Sequence, residues 1–165
     1  MNNSKSTIWL FVACCMVPLV LAFIALKWQW APSHTTNKGE FVEGEVHVSA
    51  LEKRDGALWS IALNAPSQCG DVCLEQAKTL SALQTALGKN QANVEIFILG
   101  EGAEHAQFKQ VSGVDGLKPA ALYLVDNKGL VVLAYPFVGD EQENRLIQKG
   151  LLQDLKKLLS YARSS

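Results

Sequence analysis

The chain has 165 residues, with 15 Lys and Arg against 16 Asp and Glu, a formal charge of −1. That length fits one domain with an appendage, and without a basic surplus there is nothing to neutralise a phosphate backbone, which argues against a nucleic-acid partner. Charged residues make up 19%, below the roughly 25% of an average soluble domain. The shortfall lies in the first thirty residues.

After a short head (1–7), residues 8–26 read IWLFVACCMVPLVLAFIAL without a charge. At about 1.5 Å per residue this run spans about 28 Å, enough for a bilayer core. Lys27, Trp28 and Trp30 follow it and suit the headgroup layer. The run is longer than the apolar part of a secretory signal and ends in LKWQW, with no small-x-small cleavage site. A lipoprotein reading at Cys14 leaves too short an apolar lead. The expectation is an uncleaved transmembrane anchor in contact with the lipid bilayer, with Cys14 and Cys15 as small apolar residues of its helix.

Residues 27–40 form a linker, ending in APSHTTNKGE, and 41–165 the folded domain. Phe41 to Leu63 suggests two extended segments around an RDG turn. A helix from Ser67 or Gln68 to Gly88 follows, with Leu74, Ala77, Leu80, Ala82 or Leu83, and Leu87 on one face. VEIFIL (94–99) is an interior strand, and a short helix is expected over about 103–111. AALYLVD (120–126) and LVVLAYP (130–136) flank Asn127-Lys128-Gly129 as a hairpin. A helix over about 140–162, with Leu146, Gly150, Leu151, Leu155, Leu158 and Leu159 as its stripe, closes the chain. The order β-β-α-β-α-β-β-α predicts an α/β thioredoxin-like domain, a central mixed sheet flanked by helices, with one extra N-terminal strand.

Outside the apolar run the cysteines are Cys69 and Cys73, in C-G-D-V-C, where the first strand turns into the first long helix. Residues i and i+4 of a helix share a face, so both sulfurs point the same way. A helix N-terminus lowers a thiol pKa and favours the thiolate, the form that attacks disulfides or binds soft metals. Asp71 opposes this by its charge. A plain structural disulfide and two unrelated buried cysteines are the competing readings. A lone pair of cysteines suits an oxidising compartment, which places the domain outside the cytoplasm.

With CGDVC between strand and helix behind one anchor, the chain resembles the Sco-type copper proteins, thioredoxin-like domains tethered by one span with a C-P-D-[VI]-C motif. It resembles more narrowly the small anchored thioredoxin-like proteins of bacterial cytochrome c oxidase gene clusters. ALGK (86–89), YLVD..G (123–129), Tyr135-Pro136 and DL..LL (154–159) carry that likeness. The resemblance implies a role in cytochrome c oxidase assembly, with an oxidase subunit or other assembly factors as partners, at the periplasmic side of the inner membrane. It implies Cys69 and Cys73 as copper ligands, or as the dithiol that reduces the cysteines of the binuclear copper site.

The Sco pattern also has a His before the hairpin strand, where this chain has Gly116-Leu117-Lys118-Pro119. Two thiolates alone suit Cu(I) better than Cu(II). His105, after the 94–99 strand, is the candidate substitute ligand, and His47 and His34 are set aside. Lys118-Pro119 is similar to the usually cis proline of ordinary thioredoxins, which sits beside the cysteines. Two alternatives stand: a general periplasmic thiol–disulfide oxidoreductase with Cys69 as attacking thiolate, and a non-catalytic anchored binding module.

Overall fold

A computed structural model describes residues 3–27, 37–52 and 58–162. The expected RDG turn, Trp28, Trp30 and His34 lie outside them. The chain divides into two units, the second being Asn37–Ser165. In the first, Asn3–Lys27 is a helix (α1) containing Pro18, and Cys14 and Cys15 are exposed, free thiols on it. Among the described residues no helix is long and apolar enough to cross a membrane, so the structure does not supply the expected anchor.

The second unit is built on a six-stranded mixed sheet. Its strands are β1 (Glu40–Phe41), β2 (Trp59–Asn64), β3 (Val94–Leu99), β4 (Lys109–Val111), β5 (Leu122–Asp126) and β6 (Val131–Tyr135). They lie in the order β1-β6-β5-β2-β3-β4. β2 runs parallel to β3 and antiparallel to β5, and β5 pairs with β6 as the expected hairpin. Helix α2 (Gly70–Leu87) connects β2 to β3, and α3 (Glu141–Ala162) closes the chain. The β2-α2-β3 unit, the β5–β6 hairpin and α3 reproduce the thioredoxin-type core order.

Three expectations need correction. Residues 103–111 form no helix: 103–108 are irregular and Lys109–Val111 adds β4 to the edge of the sheet, parallel to β3. Pairing with β3 fixes Lys109–Val111 as strand, and Gly102 donates to the Ala65 carbonyl at 2.7 Å, drawing the preceding loop onto Ala65. The segment 42–52 is not a regular strand. His47 makes a single bridge to Leu130, and Ser49–Leu51 is one 3₁₀ turn. Residues 37–40, expected to end the linker, belong to the domain. The Lys38 and Gly39 amides donate to Asp154 at 2.6 and 2.9 Å, and Glu40 opens β1.

Alternation along the strands splits the core into two layers. Ile61, Leu63, Ile96 and Ile98 face Ala77, Leu80, Leu83, Leu151, Leu155 and Leu159 of the two helices. Ala62, Phe97, Leu99, Tyr123 and Val125 face the opposite way, against Val48 and Leu51. Period-two alternation sends successive residues to opposite faces, so the segment 42–51 covers the side that carries no helix. Leu74 and Leu146, expected on the inner faces, are exposed, while Cys73 and Gln76 are turned inward.

Candidate redox site

Asn64 ends β2, and Ala65 remains tied to the sheet through its N–H to the Leu99 carbonyl, 2.8 Å. Pro66 then opens a tight turn whose carbonyl accepts the Cys69 N–H at 2.9 Å. That turn delivers Cys69 as the residue capping α2, with Cys73 one helical turn further on. Gly70 has φ +57°, in the left-handed region where only glycine sits without strain, which accounts for the glycine of CGDVC.

Cys69 and Cys73 are joined as a disulfide, with Cα atoms 5.6 Å apart. Their environments differ. Cys73 is fully buried in the core layer beneath α2, whereas Cys69 is only half-buried at the mouth of the helix. Cys73 Sγ lies 3.5 Å from the Asn64 carbonyl oxygen. Once reduced, its S–H has that oxygen as acceptor. The Cys69 thiolate instead meets the unpaired N–H groups and positive end of α2, with Asp71 in the first turn as the opposing charge. The geometry thus separates a partly exposed sulfur from a buried one.

The same Asn64 carbonyl accepts the Ala120 N–H at 2.8 Å, which brings the segment after Pro119 to Cys73. The Asn64 side chain completes the junction: Nδ2 donates to the Leu117 and Lys118 carbonyls at 3.0 and 3.1 Å. Both partners are acceptors, so this amide has one sensible orientation. The Lys118 N–H donates to Tyr123 Oη at 2.7 Å, and burial raises the Tyr123 pKa above its usual value while that bond pulls it back down. Among the described residues every peptide bond is trans, Lys118-Pro119 included, and Ala120 takes the left-handed conformation at φ +55°. The resemblance to a cis-proline loop therefore does not extend to the bond itself. From sequence alone the strand ends at Leu63 and Asn64 carries no role; an Asn closing an apolar run just before the cysteine turn is the available signal.

His105 is not brought to the cysteines. Its Nδ1 accepts the Gln107 N–H at 3.2 Å and its Nε2 lies 3.2 Å from Ser81 Oγ, so Nε2 carries the proton and donates. Ser81 is eight residues beyond Cys73 on α2, about 12 Å along its axis. The ring also packs on Phe108, centroids 4.6 Å apart. Among the described residues no three His, Cys, Asp or Glu side chains are grouped to hold a metal ion.

No protein-family model and no curated protein matches the chain. Among solved structures, the chain is similar to several Sco proteins and to Trgpx in its apo form. The apo Sco1 protein of Thermus thermophilus superposes with a TM-score of 0.48 at 16% identity, over 78% of this chain and 99% of that one. The copper-bound ScoI of Arabidopsis thaliana gives 0.44 at 14%, over 62% and 86%. A SCO1/SenC family lipoprotein from Bacillus anthracis gives 0.43 at 14%, over 63% and 83%. At such identities no activity passes from those Sco proteins to this chain.

Proposed function

We propose that this protein is a membrane-tethered thiol–disulfide partner in cytochrome c oxidase assembly, whose Cys69 and Cys73 reduce the disulfide of a copper-site client. The observation that carries the chemistry is the asymmetry of the pair, one sulfur half-exposed at a helix N-terminus and its partner buried beside the Asn64 carbonyl. A three-residue spacer closes too small a loop to constrain the unfolded chain much, so stability is a weak reason for the bond. The oxidase setting rests on the sequence resemblance.

In the reaction the Cys69 thiolate attacks one client sulfur, forming a mixed disulfide and releasing a client thiolate, which takes up a proton. Cys73 then loses its proton and attacks Cys69 Sγ, expelling the second client thiolate. Two electrons pass to the client and the intramolecular disulfide remains. A dithiol donor protein restores the reduced pair.

A second reading, Cu(I) carried as cargo between the two thiolates, is favoured by the sulfurs sharing one face. It has no third donor at the site among the described residues, so His105 is not retained as a ligand. The tether is proposed because Trp9, Leu10, Phe11, Val12, Met16, Val17, Leu19 and Val20 are all exposed around α1. A helix apolar on every side needs a non-aqueous surround. The globular unit then lies at the periplasmic face of the inner membrane.

The test uses the reduced full-length chain in neutral detergent with a disulfide-bonded peptide carrying two cysteines. C73S is expected to trap a mixed disulfide through Cys69, and C69S to trap none. Trapping by both variants alike, or by neither, overturns the assignment.

A further inference from the structure

Beside the cysteine turn lies a groove of about 850 Å³ that the exchange chemistry itself leaves unused. Pro66 and Ser67 of that turn form one wall, Gly100 and Glu101 a second, and the loop 112–117 a third. The groove is therefore continuous with the segment that presents Cys69. Gly116 lines it with open space where a Cβ would stand, so its main chain is open to close approach by another main chain.

The polar side chains that matter here are acceptors. Glu101 and Asp115 are exposed and have no hydrogen-bond or ion-pair partner among the described residues. Among the described residues no Lys, Arg or His lines the groove. Asn64, only 3% exposed, reaches its wall. Because Nδ2 is committed to the Leu117 and Lys118 carbonyls, Oδ1 is the free end of the amide and has no partner among the described residues. An occupant with N–H donors and positive charge complements these three acceptors. Among the described residues the two carboxylates are not part of a metal-sized cluster; a cationic polypeptide segment beside a cysteine supplies both the charge and the N–H groups.

We propose that this groove seats an extended client segment bearing Lys or Arg beside its cysteine, one of whose N–H groups is accepted by Asn64 Oδ1. The inference deepens the reading of Cys69 and Cys73 as an exchange pair, and adds to it a charge preference for the client. Complementary charge raises encounter rates and is screened by salt, whereas a main-chain contact with Asn64 is indifferent to sequence.

Two synthetic peptides, each closed by one disulfide and flanked by lysines or by glutamates, test it against the reduced full-length chain in neutral detergent. The lysine peptide is expected to react about tenfold faster at low ionic strength, with the ratio falling towards one in about 1 M salt. In the double variant E101Q/D115N the ratio is expected to collapse likewise. A ratio near one in the unaltered chain, or one undiminished in the double variant, overturns the inference. Cysteine-free versions of both peptides, titrated calorimetrically onto the oxidised chain, read the groove without any chemistry. Preferential binding of the lysine peptide with no exchange would sink the exchange reading and leave the groove standing. Exchange with equal binding of both peptides would do the reverse.

Discussion

Asn64 is the residue on which the site depends most, and its replacement is the most informative single change. In N64A two hydrogen bonds, to the Leu117 and Lys118 carbonyls, are lost from a side chain that is 3% exposed. Each is worth about 1 kcal/mol net, and leaving two part-buried carbonyls unpaired adds to that, giving a loss of about 2–3 kcal/mol. N64D is expected to be worse, since a carboxylate cannot donate to either carbonyl and sets a buried charge against them. Urea unfolding of the oxidised full-length chain, followed by a signal of the globular unit, measures this. With a slope of about 1.5 kcal/mol per M, the N64A midpoint is expected to fall by about 1.3–2 M. The reasoning is refuted if N64A loses under about 0.5 kcal/mol, within the range of an ordinary surface change, or if N64D matches the unaltered chain.

Other changes probe the surroundings. Asp154, 1% exposed, accepts from the Lys38 and Gly39 amides and from Tyr135 Oη at 2.9 Å through one oxygen, so D154A is expected to cost about 3–5 kcal/mol and Y135F about 1–2, read by thermal melts. Burial first, then the bond to Asp154 and its charge, push the Tyr135 pKa far above 10. Tyr135 thus stays protonated when the unfolded chain ionises, and stability is expected to be level below pH 10 and to fall by about 1.4 kcal/mol per pH unit above it, a slope reduced in Y135F. An added Cβ at Gly102 would lie 2.1 Å from the Pro66 carbonyl oxygen and 2.8 Å from that of Ala65. G102A is therefore expected to destabilise the oxidised chain by about 1–3 kcal/mol in the same urea assay.

Much of this architecture is legible in the sequence where the signal is local. VEIFIL matches β3 end for end, and the hairpin and closing helix fall within two residues of their expected limits. The cysteine turn sits where strand gives way to helix, as the pattern of residues requires. What escaped depends on distant partners. Lys109–Val111 is a strand only because β3 offers an open edge. Helical periodicity marked a face containing Leu74, yet α2 is turned so that Cys73 and Gln76 are buried, Gln76 accepting from Asn144 of α3 at 3.1 Å. Asp154 reads as one more surface acid of a charged helix until Tyr135 and the 38–39 amides close over it. Asn64 likewise gains its role from carbonyls 53 and 54 positions away.

The central claim, that Cys69 and Cys73 form a working redox pair, is tested most directly by the reduction potential of the full-length chain. It is measured in graded dithiol–disulfide buffers, with alkylation of free thiols and mass analysis as the readout. The account expects a reversible two-electron transition above the roughly −300 mV that marks structural disulfides, with Cys69 alkylated ahead of Cys73 as the bond opens. A potential below that mark, or no preference between the two sulfurs, would make the bond a structural one and contradict the account.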